Sequence, residues 1–237
     1  MKKKKAVLLD LDNTIYNYDE PHKKALNAVY KKLKQIIKIT RKRFDYLYKI
    51  SKQEIHKELS GTASAHNRIL YFQRLIEKTH NTVDPSIILK LHTTYWKTFY
   101  KNMKITKTAL DTLREIKKQG YKTAIVSDMT TEIQLQKMKK LNITNYIDYL
   151  ITSEEAGSEK PHQIMFLLAL NKLKIKPEEA IMVGDNTTAD IEGANSVGLD
   201  TVLIKQGKLS KKPIEDFESP NYIIKNISEI LNILTKK

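Results

Sequence analysis

Apolar residues fall in two rhythms along this chain. Short runs recur at 6-AVLLDL-11, 122-KTAIVS-127, 147-IDYLIT-152, 180-AIMVG-184 and 200-DTVLI-204, with a weaker one at 221-NYIIKN-226. Their length and aliphatic content predict strands. Between most of them the apolar spacing lengthens to that of helices. Leu110, Leu113 and Ile116 share one face of 109-ALDTLREIKKQ-119, with Thr108 placed to cap it and Gly120 to end it. Pro161 suits the first turn of 161-PHQIMFLLALNKL-173, and a shorter helix over about 188–197 runs into Gly198. Strands alternating with helices predict an α/β fold, a doubly wound Rossmann-like parallel sheet covered on both faces.

Residues 17–104 break this rhythm, with one glycine, Gly61, and no convincing strand. Asp19 and Pro21 open a helix carrying Leu26, Val29, Leu33 and Ile36. A second carries Phe44, Leu47 and Leu59, and a third, after Gly61, carries Ile69, Phe72 and Leu75. Asp84 and Pro85 start a fourth, with Ile88, Leu91, Tyr95 and Phe99 inward. The expected division is a core of residues 1–16 and 105–237 with a helical insert, 17–104.

Composition narrows the class. At 237 residues the chain is long enough for one full domain and a smaller one. Its longest apolar run, 164-IMFLLAL-170, is far short of the ~20 residues that span a bilayer. The opening Met-Lys-Lys-Lys-Lys has the charge of a secretory leader, but Asp10 and Asp12 interrupt the apolar stretch behind it. A soluble cytoplasmic protein, with no membrane partner, is expected. The absence of cysteine excludes disulfides, thiol catalysis and cysteine-bound zinc. The net charge of +15 is uneven, because residues 17–104 hold 19 Lys/Arg against 7 Asp/Glu. That segment is either a surface attracting an anion or a set of solvated helix faces.

The chemistry gathers where the strands end. In open parallel sheets, ligands bind at the carboxyl ends of strands, near the point where strand order reverses. The first strand delivers Asp10, Asp12 and Thr14 there, alternate residues that share a face of an extended chain. The second delivers Ser127 and Asp128, and the fourth delivers 184-GDN-186 with Asp190 beyond it. Lys160, in 159-EKP-161, precedes a helix. Converging carboxylates repel unless a cation sits among them, and the hard oxygens of Asp10 and Asp185 suit Mg²⁺. Ser127 and Lys160 are donors suited to phosphate oxygens. Carboxylate nucleophile, metal and phosphate clamp are the parts of an in-line phosphoryl transfer. Each also has a plain structural alternative. Asp10 and Asp12 suit a turn, Ser127 a helix cap, Lys160 a solvated surface and Asp190 a first helical turn.

Asp10-Leu11-Asp12-Asn13-Thr14, Ser127, Lys160-Pro161, and Gly184-Asp185 with Asp190 together resemble the four ordered motifs of the haloacid dehalogenase-like hydrolase superfamily. The resemblance covers residues 5–16 and about 105–205. The helical insert is similar to the cap of that superfamily's first subclass, a lid whose closure excludes water and selects substrate. The resemblance implies that Asp10 attacks phosphorus and becomes an aspartyl-phosphate. Asp12 would protonate the leaving alcohol and then deprotonate the hydrolytic water. Mg²⁺ would rest on Asp10, the Asp12 carbonyl and Asp185, with Asp190 in support, and Ser127 and Lys160 would hold the transferring group. Thr14 and Asp128 would adjoin the substrate. Asp128-Met129 departs from the Asn-Gly common after Ser127 in such proteins. In the loop 60-SGTASAHNR-68, His66 and Arg68 either read the substrate's non-reacting end or form an exposed turn.

The expected function is therefore a Mg²⁺-dependent phosphatase acting on a small phosphorylated metabolite, a nucleotide being a possible substrate. Two alternatives stay open. One is a phosphomutase of the same fold, similar to beta-phosphoglucomutase. The other is a non-catalytic nucleic-acid-binding protein using the basic insert, against which the intact acidic motifs argue. Oligomeric state and natural substrate are not legible in the sequence.

Overall fold

β1 (Ala6–Leu9) is buried along its whole length, as a strand must be when helices cover both faces of its sheet. The computed structural model describes residues 3–205 and 218–235, so Met1 and Lys2 of the basic opening lie outside the described residues. The chain separates into two compact units, residues 1–17 with 104–237 and residues 18–103.

The smaller unit consists of α1 (Asp19–Ile36), α2 (Arg41–Glu58), α3 (Arg68–His80) and α4 (Pro85–Asn102), with no strand among its described residues. Pro21, Ala25, Val29 and Leu33, spaced by four, form the buried side of α1. Ile36, expected inward, is 37% exposed, because it falls off that stripe at the helix end. Asp84 caps α4 by accepting from the Ile87 N–H, with Pro85 in the first turn. The core of the unit is aromatic, built on Phe44, Tyr71, Phe72, Tyr95 and Phe99. Some of the basic excess is neutralised locally, Arg74 bonding Glu54 and Glu58 and Lys78 bonding Glu54.

The larger unit continues with α5 (Lys107–Lys118), β2 (Lys122–Ser127), α6 (Thr131–Leu141), β3 (Tyr149–Thr152), α7 (Ser153–Ala156) and α8 (Gln163–Leu173). β4 (Ala180–Gly184), α9 (Gly193–Asn195), β5 (Asp200–Ile204), β6 (Tyr222–Ile224) and α10 (Ile230–Thr235) follow among its described residues. The strands are all parallel, in the order β3-β2-β1-β4-β5-β6. Leu9 pairs with Ile125 on one side and Val183 on the other. The order therefore reverses at β1, the doubly wound arrangement expected from the alternating pattern.

One face of the sheet, through Ala6, Leu8, Ala124, Val126, Ile151 and Met182, packs on Met165, Phe166, Ala169 and Leu173 of α8. Each large apolar side chain buried there contributes roughly 1.5–3 kcal/mol. Gly193 admits this packing, since a Cβ there would lie 2.5 Å from Phe166 and 2.8 Å from the Pro161 carbonyl.

Three local expectations are corrected. Thr106, not Thr108, caps α5, accepting from the Ala109 N–H at 3.1 Å. Thr108 instead lies inside the first turn, where its carbonyl accepts from the Thr112 hydroxyl. α8 starts at Gln163 with His162 as its cap, so Pro161 precedes the helix. The stretch after β4 begins as a π-turn, Thr187–Glu192, before α9.

Candidate active site

The backbone leaves β1 still paired, the Asp10 N–H donating to the Val183 carbonyl at 2.9 Å. This fixes Asp10 beside the end of β4, from which Asp185 follows directly. Asn13 then turns the chain at φ 62°, a left-handed conformation that asparagine tolerates, and Thr14 is buried behind it. Ser127 is the last residue of β2.

Lys160 reaches into this edge from the segment before α8. Its side chain is 3% exposed, and its ammonium bonds Asp10 Oδ1 at 2.7 Å and Asp190 Oδ1 at 2.6 Å. Asp190 is aimed there by the π-turn. Asn186 caps the turn by accepting from the Thr188 and Ala189 N–H groups, and its own N–H donates to Asp190 Oδ2 at 3.1 Å. Gly184 makes room, because a Cβ at that position would run into the Asp190 carboxylate. Gly184→Ala is accordingly expected to displace Asp190 and cut activity by about tenfold or more at unchanged expression, as steady-state kinetics would measure.

Asp10, Asp185 and Asp190 each offer an oxygen within 4.8 Å of the other two. Burial holds the Asp10 carboxyl well above the usual carboxylate range, against the pull of Lys160 and with the push of Asp190 and Asp185. Burial, then Asp190, pushes Asp185 up to about 7. For Lys160, burial acts downward but the carboxylates Asp10 and Asp190 outweigh it, so the ammonium stays charged. With all three ionised, one ammonium would leave two negative charges uncompensated, which is why burial without a cation raises Asp10 and Asp185. Hard oxygens with that deficit fit a divalent cation such as Mg²⁺.

Asp12 stands apart from this triad. Its carboxylate takes Lys137 Nζ at 2.8 Å on Oδ1 and 2.6 Å on Oδ2, and the Tyr16 hydroxyl at 2.6 Å on Oδ1. Lys137 and Gln134, both fully buried, come from one face of α6. Gln134 donates to Ser127 Oγ at 2.9 Å and to the Asp128 carbonyl at 2.7 Å, which leaves the serine O–H to donate elsewhere. Neither residue was expected from the sequence. The available signal was phase, for Ile133, Gln134, Lys137, Met138 and Leu141 form the buried stripe of α6.

The Asp128 carboxylate accepts the Lys160 backbone N–H at 2.9 Å, tying the loop after β2 to the segment that carries Lys160. Met129 adopts φ 117° and is pinned by its N–H to Ser153 Oγ at 2.8 Å. A side chain in this region costs of order 1–3 kcal/mol, strain of the kind found at functional sites.

His66 and Arg68 lie in the smaller unit. Arg68 is 7% exposed rather than in an open turn. It donates to the His66 carbonyl and the Tyr18 hydroxyl, with its guanidinium 5.5–5.9 Å from the ring centres of Tyr71, Tyr95 and Trp96. Burial, with Arg68 alongside, lowers His22 to about 3, so the imidazole adds no second charge there.

The acidic, lysine-bridged edge thus lies where the strand order of the parallel sheet reverses, the place at which open α/β sheets bind their ligands. Residues 7–204 match the family model for haloacid dehalogenase-like hydrolases, and the chain belongs to that family. It is 40% identical over 199 residues to a ribulose-1,5-bisphosphate 5-phosphatase of Halopiger xanaduensis, covering 84% of this chain and 83% of that one. A glyceraldehyde 3-phosphate phosphatase of Pyrococcus furiosus is 29% identical over 238 residues, covering 100% and 95%. Among solved structures, a HAD phosphatase from Thermococcus onnurineus superposes with a TM-score of 0.78 at 25% identity, covering 98% of both chains. A 2-haloacid dehalogenase from Pseudomonas syringae shares the fold, with a TM-score of 0.73 at 21% identity and 98% of both chains covered.

Proposed function

We propose that this protein is a Mg²⁺-dependent phosphatase that hydrolyses a small phosphorylated metabolite through an aspartyl-phosphate on Asp10. One observation carries the reading: Asp10, Asp185 and Asp190 converge around Lys160 where β1 and β4 end. The names of the relatives favour a sugar phosphate esterified through a primary alcohol. No helix among the described residues is long and apolar enough to cross a membrane.

In this reading an Asp10 oxygen attacks phosphorus as the bond to the leaving oxygen breaks. Asp12 gives its proton to that oxygen. The resulting Asp12 carboxylate then takes a proton from water, whose oxygen attacks phosphorus and frees Asp10. Ser127, its oxygen already accepting from Gln134, donates its O–H to a phosphate oxygen, and Lys160 neutralises the charge beside Asp10. Mg²⁺ held by Asp10, Asp185, the Asp12 carbonyl and, in support, Asp190 would supply Lewis-acid stabilisation of the phosphoryl oxygens. Thr14 and Asp128 adjoin the substrate.

The test is a phosphate-release screen over ribulose 1,5-bisphosphate, glyceraldehyde 3-phosphate, phosphoglycolate, glucose 1-phosphate and nucleotides, with Mg²⁺ and with chelator. Release from a primary-alcohol phosphate that stops in chelator is expected. Isomerisation of glucose 1-phosphate without release, or binding of oligonucleotides with no release at all, would contradict it.

The carboxylates also set a pH dependence. Asp185 has its folded value, about 7, above the ordinary 3.8. Its contribution to the stability of metal-free protein is present in full below 3.8 and is lost as pH rises through about 7. Mg²⁺ competes with that proton. The increase in melting temperature on adding Mg²⁺ is therefore expected to be larger at about pH 8 than at about pH 5.5, as thermal unfolding would measure.

A further inference from the structure

We infer that Lys137 is a positioning residue for Asp12, selecting Oδ2 as the oxygen that carries the proton. The inference rests on the reading of Asp12 as the proton shuttle. Lys137 lies on the buried stripe of α6, its side chain wholly out of solvent, while Asp12 is 29% exposed. Burying an ammonium costs several kcal/mol, and an apolar residue of similar volume is often neutral or stabilising at such a place. A lysine that served packing alone would have its stem buried and its ammonium in water. Here the ammonium is turned inward and touches both oxygens of one carboxylate.

The bonds to that carboxylate are unequal. Oδ1 accepts from Lys137 and from Tyr16, which uses both of its lone pairs. Oδ2 accepts from Lys137 and keeps one lone pair. The proton passed to the leaving alcohol, and later taken from water, therefore resides on Oδ2. A carboxylate gripped on both oxygens loses its freedom to rotate, so α6 sets the direction in which that lone pair points.

Leaving-group dependence tests this. An alkoxide needs a proton as it departs, whereas nitrophenolate does not. Lys137→Met is expected to lower kcat/KM by ~100-fold for the primary-alcohol phosphate turned over fastest in the screen, but by less than ~3-fold for para-nitrophenyl phosphate. A purely structural role would depress both substrates equally. The chain has no cysteine of its own, so Lys137→Cys introduces a single thiol. Alkylating that thiol with bromoethylamine in denaturant, then refolding, rebuilds an ammonium of lysine's length. The alkylated protein is expected to regain most of the lost alkyl-phosphate activity. This pair carries the test if Lys137→Met does not fold.

Asp12→Asn separates the two claims. If it shows the selective loss and the Lys137 variants do not, the positioning role is wrong and the Asp12 assignment stands. If Asp12→Asn shows no selective loss, the shuttle assignment fails and the inference falls with it.

Discussion

Asp10→Asn is expected to reduce phosphate release by about ten-thousand-fold or more while leaving the protein folded. Losing a nucleophile removes the covalent route altogether, which is why such changes are among the costliest in enzymes. The fold should tolerate the change for a separate reason. Burial and the neighbouring Asp190 and Asp185 already disfavour the Asp10 carboxylate in metal-free protein. An amide of the same shape relieves that repulsion and still accepts from Lys160. A melting temperature within a few degrees of wild type is the expected companion result. Activity at wild-type rate would refute the nucleophile assignment, and loss of folding would show that the cluster is structural.

Lys160→Met should act in the opposite sense on stability. The lysine ammonium is the cation that Asp10 and Asp190 share, and removing one partner of a buried pair typically costs about 3–5 kcal/mol. In chelator the variant is expected to lose stability of that order in denaturant titrations. Mg²⁺ should recover part of it, since a divalent cation neutralises the same oxygens. Activity should stay low even with Mg²⁺, because neutralisation beside Asp10 is gone. Equal stability in chelator and in Mg²⁺ would mean that the three carboxylates do not share a cation site.

Much of this was legible in the sequence because strand geometry is simple. Asp10 follows the apolar run of β1 and Gly184-Asp185 ends that of β4, whereas a period of two does not hold for Asp12 and Thr14, because β1 ends at Leu9 and the chain turns at Asn13. The expected ranges for β2, β4 and β5 agree with the observed ones residue for residue. Helix starts were harder. Thr106 and Thr108 are both competent caps, and only the packing of Ala109, Leu113 and Ile116 chooses between them.

The site beyond the motifs was hidden for a different reason. Lys137 is one of three lysines in 137-KMKK-140, and composition does not distinguish the buried one from Lys139 and Lys140. The phase of the helix does, but a lysine on an apolar stripe reads as an interruption until its partner 125 residues away is known. By sequence Asp190 suits a metal site or a first helical turn equally, and only the π-turn that aims it at Lys160 separates the two. Met129 shows the limit of motif comparison, since a side chain occupies a positive-φ position that glycine would adopt freely.

The most direct measurement is an acid quench of enzyme mixed with radiolabelled substrate during the first turnover, followed by peptide mapping. The expected result is phosphate bound covalently to the peptide containing Asp10, stable in acid, released by hydroxylamine and absent from Asp10→Asn. Label on Ser127 or on a histidine, or turnover with no covalent label at any quench time, would contradict it.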